Sequence, residues 1–536
     1  MNLRPSKALS VAAALAFLVA AGCTDPTVAP KSTVTEANIW SDQSSYQMYL
    51  AKLYGGLILT SQTGPNENCD KCGDLAGIDE GYSEYLRLFW YMQELPTDEA
   101  VIGWNDPGVP ELNVHSWTAT NIWPVAMYYR VMFQATMVGE FLRQTTLEKL
   151  NSRGVGSALR QQIQNYRAEA RFLRALSYAH GIDFFGGMPL VTEADPIGGA
   201  PPMQVSRDSL YNYVVSELLS LRDSLPARSA STYGRATPGA ANMLLSVLYL
   251  NAAVYTGTPH YDLALNAAQA VIASGTYSLN SVFKNNFTAD NNLSPELIFV
   301  APQDAAHTQT WGGMTFLVHA GCGGDGMQAS WYGMDYCWGG YRMKQQVYRL
   351  FDITDTRAAS FYGPLQNAAH TDSVISIGNF NHGVAGPKFT NMNSDGVTHG
   401  AQLGMVDTDF PIFRLAETYL NYVEAAMRAN AGTPTAQAVT YFNALRQRAY
   451  GNATHNVTAG QLTYDTLLAE RARELLFEAK RRTDLIRFGK FTGGSYLWAW
   501  KGGTVAGSSI DTHLALFPLP ANELAANRNL TQNPGY

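Results

Sequence analysis

Three stretches of the chain carry the same punctuation. Thr237-Pro238 opens "GAANMLLSVLYLNAAVYT", closed by Gly257; Thr258-Pro259 opens "HYDLALNAAQAVIAS", closed by Gly275; Thr433-Pro434 opens "TAQAVTYFNALRQRAY", closed by Gly451. Thr caps the free N–H groups of a helix start, Pro fits the first turn, and Gly accepts the left-handed backbone that follows the last. Each stretch is therefore predicted to be a helix. The first two abut at Gly257-Thr258, a turn so short that the second helix must fold back beside the first. Ala252, Ala253, Ala264, Ala267 and Ala268 let the pair approach closely. Such a hairpin is the unit of superhelical repeat proteins.

Apolar residues at three- and four-residue spacing predict further helices over about Tyr46-Leu59, Trp123-Arg143, Ser157-Phe185, Ser206-Leu225, Pro411-Ala429 and Tyr464-Phe488. No strict 34-residue period is legible, so any repeat is structural. Between Gly275 and about Met405 helix signals thin out, and Gly, Asn, Ser and aromatics rise around strand-like runs such as "ELIFVAP" and "MTFLVHA". Thr60-His115 is a second loop-rich region. The expected fold is mainly α: a scaffold over about 41–275 and 406–536, carrying a capping insertion over about 276–405, all one domain from 41 to 536. Binding residues concentrate on loops held by such a scaffold. The net charge of −7 and the lack of a basic cluster argue against nucleic acid.

"MNLRPSKALSVAAALAFLVAAGC" places Arg4 and Lys7 before an apolar run from Ala8 to Ala21. The run is too short for a membrane span and reads as a secretory signal over 1–22. Cys23 directly after Ala20-Ala21-Gly22 resembles a bacterial lipobox, departing from it at Ala20 where Leu is usual; ordinary cleavage of a free secreted protein is the alternative. A lipidated Cys23 anchors the chain through more than one acyl group, with 23–40 as a polar tether. Four cysteines remain. Local pairs Cys69–Cys72 and Cys322–Cys337 are the simplest arrangement in an oxidising compartment, although four cysteines allow three connectivities.

Several stretches resemble one family. "RAEARFLRALSYAHGIDFFGGMPLV" (Arg167-Val191), "FPIFRLAETYLNYVEAAMR" (Phe410-Arg428), "ERARELLFEAKRRTDLIRFG" (Glu470-Gly489) and "LFPLPANELAANRNLTQNPGY" are similar, in order, to motifs of the SusD/RagB family of nutrient-uptake lipoproteins. The chain departs from them at Ala479, where Gly is usual, at Arg482, where an aromatic is usual, and at Arg528, where Pro is usual. The resemblance implies tetratricopeptide-like hairpins with an irregular cap. It also implies an outer-membrane lipoprotein facing the outside, a SusC-like TonB-dependent transporter as partner, and usually an oligosaccharide ligand. Some relatives take peptides.

"CGGDGMQASWYGMDYCWGGYR" (Cys322-Arg342) then gains a purpose. A pyranose has an apolar C–H face that flat rings match and a hydroxyl rim that Asn, Gln, Asp and Arg match. Glycines let rings and backbone come close, and a Cys322–Cys337 staple holds the loop ready. The candidate rings are Trp311, Trp331, Tyr332, Tyr336, Trp338 and Tyr341, with half expected to pack against the scaffold. Trp338-Gly-Gly-Tyr341 also resembles a family segment that makes Trp338 structural. Asp98-Glu99 resembles the family's Asp-Glu pair, and Trp104 with Asn105 and Asp106 fits the ligand loop after it. His115, Trp117 and Trp123 are expected to pack.

Enzyme signals fail. Glu470, Glu474 and Glu478 lie four apart on one helix face, whereas acid–base pairs face each other across a substrate; an ion-pair network is expected instead. "GCGGDG" satisfies G-x-G-x-x-G without the helix that a dinucleotide site needs. No cofactor is expected: Asp290, Asn292 and Ser294 could touch a structural Ca²⁺, but Pro295 replaces the turn glycine of an EF-hand loop and no glutamate closes it. Capture of a glycan for a transporter leads. A secreted helical glycoside hydrolase, a peptide-binding relative and a purely structural repeat protein that docks the transporter are the alternatives.

Overall fold

The computed structural model describes residues 39–536 except 41, 62–64, 66–72 and 196–197. The leader, Cys23 and most of the tether, together with Cys69 and Cys72, lie outside the described residues. The principal helices are α1 (Ser45–Gly55), α2 (Tyr85–Glu94), α3 (Ile122–Gln144), α4 (Ser157–Phe185), α5 (Arg207–Leu221), α6 (Pro238–Leu250), α7 (Tyr261–Ala273), α8 (Gly313–Ala320), α9 (Leu415–Ala429), α10 (Ala436–Tyr450), α11 (Tyr464–Leu475) and α12 (Arg481–Arg487). Packing runs from neighbour to neighbour: α3 on α4, α4 on α5, α6 on α7, α7 on α9, α9 on α10. The molecule is mainly helical, and its scaffold is the expected array of helical hairpins. Ala264, Ala267, Ala268 and Val271 form the buried stripe of α7, and the small residues bring α6 and α7 together. Among the described residues, no helix is long and apolar enough to cross a membrane.

The helix punctuation works with shifts. Thr237 accepts a hydrogen bond from the Ala240 N–H (3.3 Å) and Pro238 fills the first turn. That helix ends at Leu250, and a separate turn of helix over Ala252–Thr256 reaches Gly257 at φ 79°. Thr258 does not cap α7, which begins after His260. The cap of α10 is Thr435, not Thr433, with its hydroxyl accepting from the Ala438 N–H at 3.2 Å.

Two larger differences come from tertiary packing. Phe410–Arg414 is a strand, β4, rather than the start of α9, because it pairs antiparallel with β2 (Leu297–Ala301). The helix expected over Tyr464-Phe488 breaks between α11 and α12, where Phe477 (φ 60°) and Ala479 (φ 58°) take left-handed backbone. The break drives the Phe477 ring into the core, 5.0 Å from that of Tyr341, while the Trp90 indole N–H donates to the Phe477 carbonyl at 3.0 Å.

The expected ion-pair network is buried. Arg357 bridges Glu470 and Glu474 (2.7 and 2.9 Å), Arg446 and Arg473 hold the other oxygen of Glu470, and Arg481 pairs with Asp98 at 2.7 Å. Burial pushes the Glu470 carboxyl up, but Arg357, Arg473 and Arg446 outweigh it and hold it down at about 2. Glu474 sits well below, and Glu478 below, the ordinary carboxylate range against the same burial, through Arg448, Arg414 and Arg357 for the first and Arg414 and Lys388 for the second. A depressed folded-state pKa contributes stability above the unfolded value and loses it as pH falls through the folded one. The denaturation midpoint is therefore expected to fall between about pH 4.5 and 2 as these carboxylates protonate. A midpoint flat across that window would contradict the network's role. The same contacts settle the catalytic question for these glutamates, since their carboxylates are spent on arginines away from solvent.

Candidate functional site

The two loop-rich regions meet across one short strand pair. β1 (Ala100–Ile102) runs antiparallel to β3 (Tyr341–Met343), with Ala100 opposite Met343, Val101 opposite Arg342 and Ile102 opposite Tyr341. This register delivers Trp104, two residues past the end of β1, to the segment just before β3. Gly340 permits the approach: a Cβ there would lie 2.9 Å from the Trp104 ring and 2.7 Å from the Ala320 Cβ.

Trp338 is the centre of the ring cluster. Its centroid lies 6.3 Å from Trp104, 6.2 Å from Trp311 and 6.3 Å from Tyr336, with planes tilted by 44°, 53° and 40°. Beneath it His319, the penultimate residue of α8, stacks at 4.8 Å. His319 is buried, and its Nδ1–H donates to the Tyr336 carbonyl at 2.9 Å. Burial holds its pKa below the ordinary value, so the ring is neutral. Trp338, Gly339 and Gly340 donate backbone hydrogen bonds to the carbonyls of His319, Cys322 and Ala320 (2.8–2.9 Å), so the central ring rides on paired backbone.

The flanking rings are also positioned from below. Trp104 packs edge-on against Phe316 of α8 at 5.8 Å, with the Arg87 guanidinium 5.7 Å from its ring. Trp311 precedes Gly312, where a Cβ would lie 2.4 Å from the Cβ of Glu84, and the Gly313 N–H donates to the Glu84 carboxylate at 2.8 Å. Tyr336 is 48% exposed, and Trp104, Trp311 and Trp338 each keep part of their surface in water. Cys322 and Cys337 are disulfide-bonded, with Cα atoms 5.0 Å apart. For this loop, with a sequence separation of 15, the bond restricts the open chain by about 3 kcal/mol. Reduction is accordingly expected to weaken ligand binding at the ring cluster by about tenfold or more, because ordering the loop is then charged to binding; an unchanged affinity in reductant would contradict this.

Not every candidate residue is available. Tyr341 is fully buried, its hydroxyl donating to the Leu317 carbonyl at 2.7 Å and its ring packed on Trp90 and Phe477. Tyr332 is 8% exposed and its ring faces the core. Both leave the ligand pool, because the strand and the turn that carry them each point one side chain inward. Trp331 is 53% exposed but has no ring contact with the Trp338 group among the described residues; its ring neighbours are Tyr332 and Tyr362. Asn105 is exposed beside Trp104, whereas an Asp106 carboxylate oxygen is occupied by the Tyr82 hydroxyl at 2.6 Å. His115, Trp117 and Trp123 are buried, as expected. Asp290 accepts from Thr288 and Ser394 (2.6–2.8 Å), and no metal-holding cluster occurs among the described residues. His319, Phe316 and Arg87, which support the rings, carry no local signal in the sequence.

The model of the SusD family matches residues 363–536. The starch-binding protein SusD of Bacteroides thetaiotaomicron is 32% identical over 541 aligned positions, covering 91% of this chain and 92% of that protein. The chain belongs to the SusD family. Solved structures share the fold: a laminarin-binding SusD-like protein superposes with a TM-score of 0.68 over 92% of this chain and 99% of that one, at 20% identity. Surface glycan-binding protein A of Bacteroides thetaiotaomicron, in complex with laminarihexaose, gives 0.67 over 91% and 98%, also at 20%. Against this family pattern, Arg482 stands where an aromatic is usual. Its guanidinium pairs with Asp183 at 3.1 Å and lies 5.0 to 5.7 Å from the rings of Phe184, Phe491 and Phe517. The named relative is a starch-binding protein, and the two named structures are of a laminarin-binding and a glycan-binding protein.

Proposed function

We propose that the protein captures an α-1,4-linked glucan chain on the rings of Trp104, Trp311, Tyr336 and Trp338 and passes it to a SusC-like TonB-dependent transporter. The observation that carries the reading is the tilt of the three outer rings, 40–53° from the plane of Trp338. Rings inclined to one another suit a curved ligand better than a flat one. A flat, ribbon-like glycan can lie on one of them at a time, whereas a curved chain presents successive C–H faces to several. The named starch-binding relative supports the same choice of ligand. Asn105 and the Asp335 carboxylate, both exposed beside the rings, suit the hydroxyl rim.

The leader over 1–22, followed directly by Cys23, supports a lipid-anchored protein, and the family resemblance supports the outer face of the outer membrane, where capture precedes transport. The test is calorimetric titration of the folded protein with maltoheptaose, laminarihexaose and cellohexaose, with the sugar recovered afterwards. Saturable binding of maltoheptaose, weaker binding of the other two and intact recovered sugar are expected. Preference for cellohexaose, or cleavage of any of the three, would overturn the reading.

A further inference from the structure

Trp331 stands apart from the ring cluster, yet its placement is as deliberate. It occupies a short turn of 3₁₀ helix, Ala329–Tyr332, whose next residue, Gly333, has left-handed backbone. The buried Tyr332 ring pins one side of this turn. Asn391 pins the other: its backbone N–H donates to the Tyr332 carbonyl (2.9 Å) and its side-chain amide to the Gly333 carbonyl (3.0 Å). A Cβ on Gly333 would lie 2.7 Å from the Asn391 carbonyl oxygen, so the two segments are in direct contact. The outcome is an indole that is 53% exposed on a fixed base.

Tyr362 completes a pair with it, its ring 6.1 Å from that of Trp331 and tilted by 47°. The Tyr362 backbone exchanges two hydrogen bonds with Ala385 (2.8 and 3.0 Å), and its hydroxyl donates to the Asp325 carbonyl at 3.2 Å. Gly326 makes room for that phenol, since a Cβ there would lie 2.2 Å from the Tyr362 oxygen. Gln328 and Ser330, exposed polar residues of the same turn, lie three and one residues before the indole. Two rings fixed in advance, with polar residues in the same turn, repeat the chemistry of the Trp338 cluster, at low entropic cost because neither ring must be ordered on binding.

We infer that Trp331 and Tyr362 form a second stacking site for the same glycan chain, so that the protein holds long chains at two places and short ones at one. This rests on the glucan reading of the ring cluster. Trp331 and Tyr336 are five residues apart in one disulfide-closed loop, which limits their separation to roughly 18 Å, within reach of a single oligosaccharide of several sugars. The ligand class is therefore a glucan long enough to bridge the two surfaces, and chain length is what the second surface selects.

The test compares maltotriose with maltoheptaose and soluble amylose by calorimetry on the folded protein. In Trp331→Ala the loss is expected to grow with chain length: little for maltotriose, tenfold or more for maltoheptaose and amylose. Gly326→Ala, which pushes Tyr362 from its seat, should show the same trend with a smaller loss. Trp104→Ala should weaken binding at every length. Equal affinity for maltoheptaose and amylose in wild type, Trp331→Ala and Gly326→Ala, while Trp104→Ala abolishes binding, would overturn the second site alone. No binding of any of these sugars to the wild type would overturn both readings.

Discussion

Replacing Arg414 by methionine is expected to destabilise the protein by about 3–5 kcal/mol, the cost of breaking a buried ion pair from one side. The expectation follows from the donor count. The Nε–H donates to Glu478, one terminal nitrogen to Glu296 and Glu474, and the other to Glu478 and the Glu474 carbonyl, all at 2.6–2.7 Å. All five N–H groups are thus used, and the side chain is fully buried. Methionine fills much of the space but leaves three buried carboxylates short of a cation. Arg448, Arg357 and Lys388 remain beside them, which is why the loss is set at a few kcal/mol rather than more. Since a whole domain is stable by only about 5–15 kcal/mol, this is a large share. Arg349→Ala breaks the exposed pair with Asp372 and should cost under about 1 kcal/mol. Urea denaturation of the two variants checks the contrast; equal midpoints would show that the buried network does not hold the helices together.

The second large effect is on binding. Trp104→Ala should weaken maltoheptaose binding by about 2–4 kcal/mol, the range of an aromatic hot spot, or roughly 30- to 1,000-fold. Trp104 also packs on the buried Phe316 and beside Arg87, so a modest fall in melting temperature should accompany the much larger loss of binding. Trp311→Ala should act in the same direction. Measured together, affinity and melting temperature separate a lost contact from a damaged fold. A Trp104→Ala protein that binds as wild type does would remove the ring cluster from the mechanism.

The sequence disclosed more of the scaffold than of the cap. Ser157–Phe185 matches its periodic stretch end to end, because one face of its first half meets solvent and writes the alternation, and no proline interrupts the buried second half. Tyr85–Glu94 falls in a stretch that reads as loop, and "MTFLVHA" reads as a strand although it lies in the helix Gly313–Ala320. Every residue of both helices is buried, so neither has a polar face to mark its period. The break at Phe477 was hidden for a different reason. It answers to Trp90 and Tyr341, more than a hundred residues away in the chain, while the local sequence favours a continuous helix.

The candidate site divides in the same way. Trp104, Trp311, Tyr336 and Trp338 could be named from their density and their glycine-rich setting. Which rings would remain uncovered could not, since Tyr341 sits in an equally glycine-rich stretch and is buried only because β3 pairs with β1. The stack of His319 under Trp338 and the partnership of Trp331 with Tyr362 depend on folding across tens of residues, and nothing beside them in the sequence announces either.

A crystal structure of the protein soaked with maltoheptaose tests the central claim most directly. The account predicts sugar rings lying against Trp338 and at least two of Trp104, Trp311 and Tyr336, with the chain curving between them. A glucan bound with those four faces bare would contradict it.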